Sequence, residues 1–138
     1  MGMRFDTKIA VIVRTDLADW QKLNVTAFLS SGLAHSTDEI VGKPYEDASG
    51  NVYLPMFREP VLVYAADTPA LTRTHARALS RDLPMSVYTE ELFGTDNEDD
   101  NRATVRAVDA DALNLVGLAV YGPRGQVDKV TKGLRLHG

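Results

Sequence analysis

The sequence predicts an α/β protein, a three-layer α/β/α sandwich around a mixed sheet. Three observations carry that reading. Residues 9–13, Ile9-Ala10-Val11-Ile12-Val13, are an apolar run with no polar alternation, so both faces of that strand must be covered, as in a central strand. Two further strand-like segments, 61–65 and 85–88, are each preceded by a stretch with helical spacing, and strand–helix–strand order implies right-handed parallel crossovers. A fourth run, 113–121, follows without a full crossover helix and is therefore expected to be antiparallel.

In chain order, Arg14, Thr15 and Asp16 leave the first strand together and a helix opens over 20–33, with Asp19 as its N-cap. Gly32 marks its end. Leu23, Ala27, Ser30 and Ser31 lie along one side of it; Trp20, Asn24 and Phe28 share another at spacing four. With apolar residues on more than one side, the helix is expected to be largely buried. Residues 35–59 are loop-rich, with a short hairpin turning at Asp47-Ala48-Ser49-Gly50-Asn51. Asp67 or Thr68 caps a second helix that carries Pro69 in its first turn, where a missing amide costs nothing. It runs to about Arg81, with Leu71, His75, Ala78 and Leu79 as its inner face. Residues 90–100 are acidic and turn-rich, and 101–108 suit a short helix. Gly117 inside the fourth strand predicts a bulge or a close backbone approach. Gly122-Pro123-Arg124-Gly125 turns the chain, 127–131 suits one helical turn, and 134–136 a final edge strand.

The size and composition bound the function. At 138 residues the chain is read as a single domain, 1–138, large enough to bury a core without staples. It has no cysteine, which excludes disulfides, thiolate catalysis and cysteine metal sites. A net charge of −4 argues against nucleic acid, since a polyanion binder shows a basic surplus. No apolar run reaches the length of a membrane span. The MGMRFDTK start has no signal-peptide core, so a cytoplasmic location is expected. Gly2 follows Met1, but Asp6 stands where a myristoylation motif wants Ser or Thr, and a cloning remnant explains the start better.

The candidate site lies where open α/β sheets bind ligands, at the carboxyl end of the central strand. Lys22 stands in the first turn of a helix, where the dipole disfavours a cation. It is read as a contact for an anion or carbonyl oxygen, against a solvated lysine or a pair with Asp19. Arg14 offers a bidentate grip on a carboxylate or phosphate, against a structural pair with Asp16 or Glu90. Thr26 and Asn24 could orient a water or ligand, against a bond back to the preceding turn. Thr89 and Glu90 end the third strand, and Glu90 or Glu91 is the acid that strand order puts near Lys22. His35, His75 and His137 have no metal-ligand spacing, and His75 is read as a structural histidine. Asp96-Asn97-Glu98-Asp99-Asp100 lacks the sixth-place glycine and twelfth-place glutamate of a calcium loop. No motif for a phosphate loop, a nucleophile elbow or a zinc helix is present, so neither metal nor cofactor is expected.

VIVRTDL, Lys22 opening a helix, VLVY, LAVYGP and VDKVTKGLRL resemble type II peptidyl-tRNA hydrolases in order and spacing. DLADWQKLNVTAFL with YEDASGNVYLPM more closely resembles an uncharacterised bacterial family thought to share that fold. The resemblance implies a four-stranded mixed sheet, the first strand central and the fourth beside it, and an active site near the start of the first helix. Lys22 matches the lysine that opens that helix in the hydrolases. Their glutamine four residues on is Thr26 here, and their histidine seven residues on is Leu29. Their strand-end aspartate falls at Thr89, with Glu90 next to it.

Two functions are therefore carried forward. In the first, the chain binds a small anionic or amide-bearing ligand through Arg14, Asp16, Lys22, Thr26 and Thr89, without the full hydrolase set. In the second it cleaves an ester or amide such as peptidyl-tRNA, with Lys22 as electrostatic stabiliser and Glu90, or a water, as base. Aromatic surface along the Trp20 side of the first helix and in residues 53–57 suits a homodimer.

Overall fold

A computed structural model describes residues 5–138; Gly2 and the lipidation reading lie outside them. Thr7–Arg14 forms β1, and Ile9 through Val13 are at most 1% exposed. β1 pairs in parallel with β4 (Val61–Ala66) and antiparallel with β6 (Leu115–Pro123). β5 (Met85–Thr89) adds antiparallel outside β6, and β7 (Arg135–Leu136) antiparallel outside β4. The order is β5-β6-β1-β4-β7, so the mixed sheet has five strands rather than four. The fifth is the short C-terminal edge strand, which pairs Leu136 with Tyr64 and continues in a bond from the His137 N–H to the Val63 carbonyl at 2.8 Å.

From β1 the chain steps outward to β4, then back across the sheet to β5. Two crossovers of one hand in opposite directions put their helices on opposite faces. α1 (Asp19–Ser36) covers one face and buries Val25, Leu29 and Leu33 against Ile9, Val11, Val13 and Val116. α2 (Thr68–Ser80) and α4 (Arg124–Val130) cover the other with Leu71, Ala78, Val127 and Val130, against Ala10, Ile12, Leu118 and Val120. Asp67 caps α2 as expected, its carboxylate accepting from the Ala70 N–H at 2.9 Å.

Several expectations need correction. α1 is not largely buried. A helix on one sheet face can shield only one stripe, and Trp20, Leu23 and Phe28 stay more than half exposed. Asp19 lies inside its first turn; Ala18 is the cap residue, and the Gln21 amide oxygen accepts from its N–H at 3.0 Å. Gly32 does not end the helix. A Cβ there would lie 3.1 Å from the Ser86 Cβ, so the glycine admits β5 rather than a turn. On α2, Leu79 is exposed and Thr74 takes the inner place. α3 (Glu98–Arg106) begins earlier than the spacing implied. Asn97 caps it through a bond from the Asp100 N–H at 2.8 Å, and the acids that read as a loop form its first turn, where the dipole favours them. β6 starts at Leu115, and α4 opens directly at Arg124.

β2 (Tyr45–Glu46) and β3 (Val52–Tyr53) form the expected hairpin. Asp47 organises its turn. The carboxylate accepts from the Tyr53 hydroxyl, the Asn51 side chain and the Ser49 and Asn51 N–H groups, and these bonds hold its pKa down at about 2.

Candidate functional site

The parallel strands β1, β4 and β5 all end on one side of the sheet, and the predicted polar residues gather there. They do so in two groups. In the first, Arg14 leaves β1 nearly buried, and its guanidinium is shared. Nε donates to Asp16 at 2.6 Å and the terminal nitrogen to Glu90 at 2.9 Å. Glu90 also accepts from the Asn114 side chain at 2.9 Å, while its N–H donates to the Asn114 carbonyl at 3.0 Å. Arg14 thus joins the ends of β1 and β5 and the start of β6. Burial works against its charge, but the bonds to Asp16 and Glu90 outweigh that and raise its pKa. The same bonds lower the partners. Asp16 is held below its ordinary value by Arg14 first, with some help from the charge of Lys22. Glu90 is held down by Arg14 and then by Asn114.

The second group lies on the other side of β1. Lys22, Thr26, Asp19, Leu23, Val13, Val63 and His137 line a cavity of about 370 Å³. Lys22 Nζ stands 3.1 Å from His137 Nε2. His137 Nδ1 lies 2.8 Å from the Gly138 carbonyl oxygen, an acceptor only, so Nδ1 carries the hydrogen and Nε2 is free to accept from the ammonium. The ion pairs found among the described residues do not include Lys22, Asp19 beside it notwithstanding. Thr26 faces the cavity but its hydroxyl donates back to the Lys22 carbonyl at 2.7 Å. Val13, Leu23 and Val63 make the walls largely apolar.

Lys22 and Thr26 therefore share a cavity, Arg14, Asp16 and Glu90 share a network, and Asp16 is the link through which Lys22 is felt. Glu90 is held by Arg14 and Asn114 and does not line the Lys22 cavity. Thr89 is 2% exposed, and its hydroxyl has no hydrogen-bond partner among the described residues. An unpaired buried hydroxyl costs about 1–3 kcal/mol. Thr89→Val, nearly isosteric, is expected to leave the melting temperature unchanged or raise it by a few degrees, measured by thermal denaturation. A clear fall would mean that the hydroxyl has a bonding partner in solution.

Two contributors escaped the sequence reading. Asn114 precedes β6 in a stretch read as already strand. His137 reaches the cavity only because β7 pairs with β4; the edge-strand signal at 134–136 was visible, but not which edge it would join.

These features define a mixed α/β sandwich whose polar side chains collect at the carboxyl ends of its parallel strands. Residues 7–138 match the family described as protein of unknown function DUF2000, and the chain belongs to that family. Among solved structures, a protein of unknown function from Agrobacterium tumefaciens is similar over 98% of this chain and 100% of its own. The identity is 50% and the TM-score 0.94. No curated protein matches. No helix among the described residues is long and apolar enough to cross a membrane.

Proposed function

We propose that this chain is a single-domain cytoplasmic protein of the type II peptidyl-tRNA hydrolase-like fold that binds a small anionic or amide-bearing ligand at the Lys22 cavity. One observation carries the reading. An ammonium group that pairs with no carboxylate among the described residues faces an apolar-walled cavity, beside the His137 imidazole. A ligand oxygen entering between Lys22 and His137 gains a charge-assisted bond in a partly desolvated place. Lys22 and Thr26 contact the ligand; Asp16 sets the charge at the rim; Arg14 and Glu90 fix the junction behind it, and Thr89 packs beside them. The central β1, its antiparallel neighbour β6 and the lysine at the start of α1 support the fold assignment.

Binding is favoured over hydrolysis. Leu29, where the hydrolases place a histidine, is 1% exposed and packed in the core beneath α1. Glu90, the candidate base, is committed to Arg14 and Asn114. Thermal-shift titration with carboxylates and N-acyl amino acids tests the proposal. A ligand at a hundred times its dissociation constant adds about 2.7 kcal/mol of stability, and the shift is expected in the wild type and not in Lys22→Ala. Equal shifts in both proteins would remove Lys22 from the site. Peptidyl-tRNA turnover above that of Lys22→Ala would favour the hydrolase alternative.

Self-association is proposed through the hairpin, because Val52, Tyr53, Leu54 and Met56 are all more than half exposed there. Light scattering is expected to give the mass of a dimer, and a strict monomer at high concentration would exclude it.

A further inference from the structure

α1 borders a second cavity, whose lining is of different chemistry. The residues at spacing four that stay out of the core, Trp20, Asn24 and Phe28, line a cleft of about 480 Å³ beneath the turn Glu90–Gly94 and the start of α3. Tyr88 and Phe93 complete its aromatic wall. Trp20 meets Phe93 at 6.1 Å between centroids and 67° between planes. Phe93 meets Tyr88 at 5.2 Å and 50°, and Tyr88 meets Phe28 at 5.8 Å and 66°. The four rings form a continuous row that turns at every contact instead of stacking. All four side chains line the cleft, which is therefore walled by aromatic rings along one side.

The charged side chains that line the cleft itself are acidic. Asp96 and Glu98 line the cleft, and among the described residues no lysine, arginine or histidine does. Arg102 takes up Glu98 at 2.6 Å, whereas Asp96 receives only a neutral amide, that of Asn97, at 3.0 Å. An anion would be repelled here. A neutral aromatic ligand would leave the acid unused. A methylated ammonium suits both components, because the ring faces attract a weakly hydrated cation and the carboxylate adds a longer-range attraction.

We propose that this cleft binds a small organic cation bearing a methylated ammonium head, with Trp20, Phe28, Tyr88 and Phe93 as the cage and Asp96 as the counter-charge. The site is separate from the Lys22 cavity, so it stands or falls independently of that reading.

Trp20 is the only tryptophan and forms part of the wall, so its fluorescence reports occupancy directly. The wild-type protein is titrated with choline at constant ionic strength, and in parallel with 3,3-dimethylbutan-1-ol, which has the same shape without the charge. The expected result is a saturable change with choline and at least a tenfold weaker response to the neutral alcohol. Calorimetry on Trp20→Leu, an exposed position whose replacement spares the core, is expected to show choline binding weakened about tenfold or more. Asp96→Asn is expected to weaken it severalfold, with a reduced dependence on salt. A trimethyllysine peptide run beside choline separates a free ligand from a modified side chain, and saturable binding of either supports the cage. Absence of saturation with both cations, an equal response to the neutral alcohol, or undiminished binding by Trp20→Leu would overturn it.

Discussion

Gly117→Val is expected to destabilise the fold by roughly 3 kcal/mol or more, at the upper end for overpacking a core. A Cβ at this position would lie 2.8 Å from Val25 Cγ1, 3.1 Å from Leu29 Cδ1 and 3.1 Å from the Ile12 carbonyl oxygen. The first two atoms are side-chain methyls on the buried stripe of α1, which can yield only by leaving their packed rotamers or lifting the helix. The third is backbone of the central strand and cannot move without breaking the β1–β6 ladder. Gly117 also sits beside a register shift. Tyr88 pairs with Gly117 but Thr89 pairs with Leu115, so Val116 is the extra residue of a bulge. Urea unfolding measures the loss as a lower midpoint at unchanged slope. Adding Val25→Ala to Gly117→Ala should recover only part of the alanine variant's loss, because the carbonyl contact remains. Full recovery would place the whole strain in the side chains. A wild-type midpoint in Gly117→Val would mean that α1 and the sheet are less tightly packed than described.

That glycine shows what could be read in advance. A residue that costs strand stability inside an apolar run must be there for geometry, and a bulge and a close approach were both foreseeable. The central place of residues 9–13 was legible for a similar reason, since an unbroken apolar strand has no face to give to water. Exposure on α1 was not legible. Trp20, Leu23 and Phe28 look like core residues by type, but the number of apolar residues on a helix does not say how much of it a neighbour covers. Those three instead border the two cavities beside the helix. The candidate site divides in the same way. Lys22 was visible as a cation in an unfavourable place on a helix. Its contact with His137, 115 residues further along the chain, depends on the pairing of β7 with β4, for which local pattern holds no information. Arg14 was visible too, and both its foreseen partners, Asp16 and Glu90, bind it at once, which makes it the hub of a network and leaves its grip on any ligand to be tested.

Arg14→Met tests that hub. Methionine keeps much of the packing volume while removing the charge and the donors. The loss should be seen in the pH dependence of stability rather than in one melting temperature. Asp16 and Glu90 both have folded-state pKa values below their ordinary ones, because of Arg14. Each therefore contributes stability that is complete above its unfolded value, about 4, and is lost as the pH falls through the folded one. Without Arg14 both carboxyls return toward ordinary behaviour and that contribution disappears. The variant should accordingly be less stable than the wild type at pH 7, and the gap should narrow as the pH falls below about 4. Asp47, whose own titration near pH 2 is set by the distant hairpin, is common to both proteins and cancels in the difference. Each kcal/mol lost lowers the melting temperature of a domain this size by about 3–5 °C. Asp16 and Glu90 are both more than half exposed, so water compensates part of the loss and the shift at pH 7 should be a few degrees. Unfolding curves for the two proteins at pH 7 and pH 3 decide the matter. A gap of the same size at both would show that the Arg14 side chain stabilises the junction by packing alone, and that the carboxylates beside it are free to serve another partner.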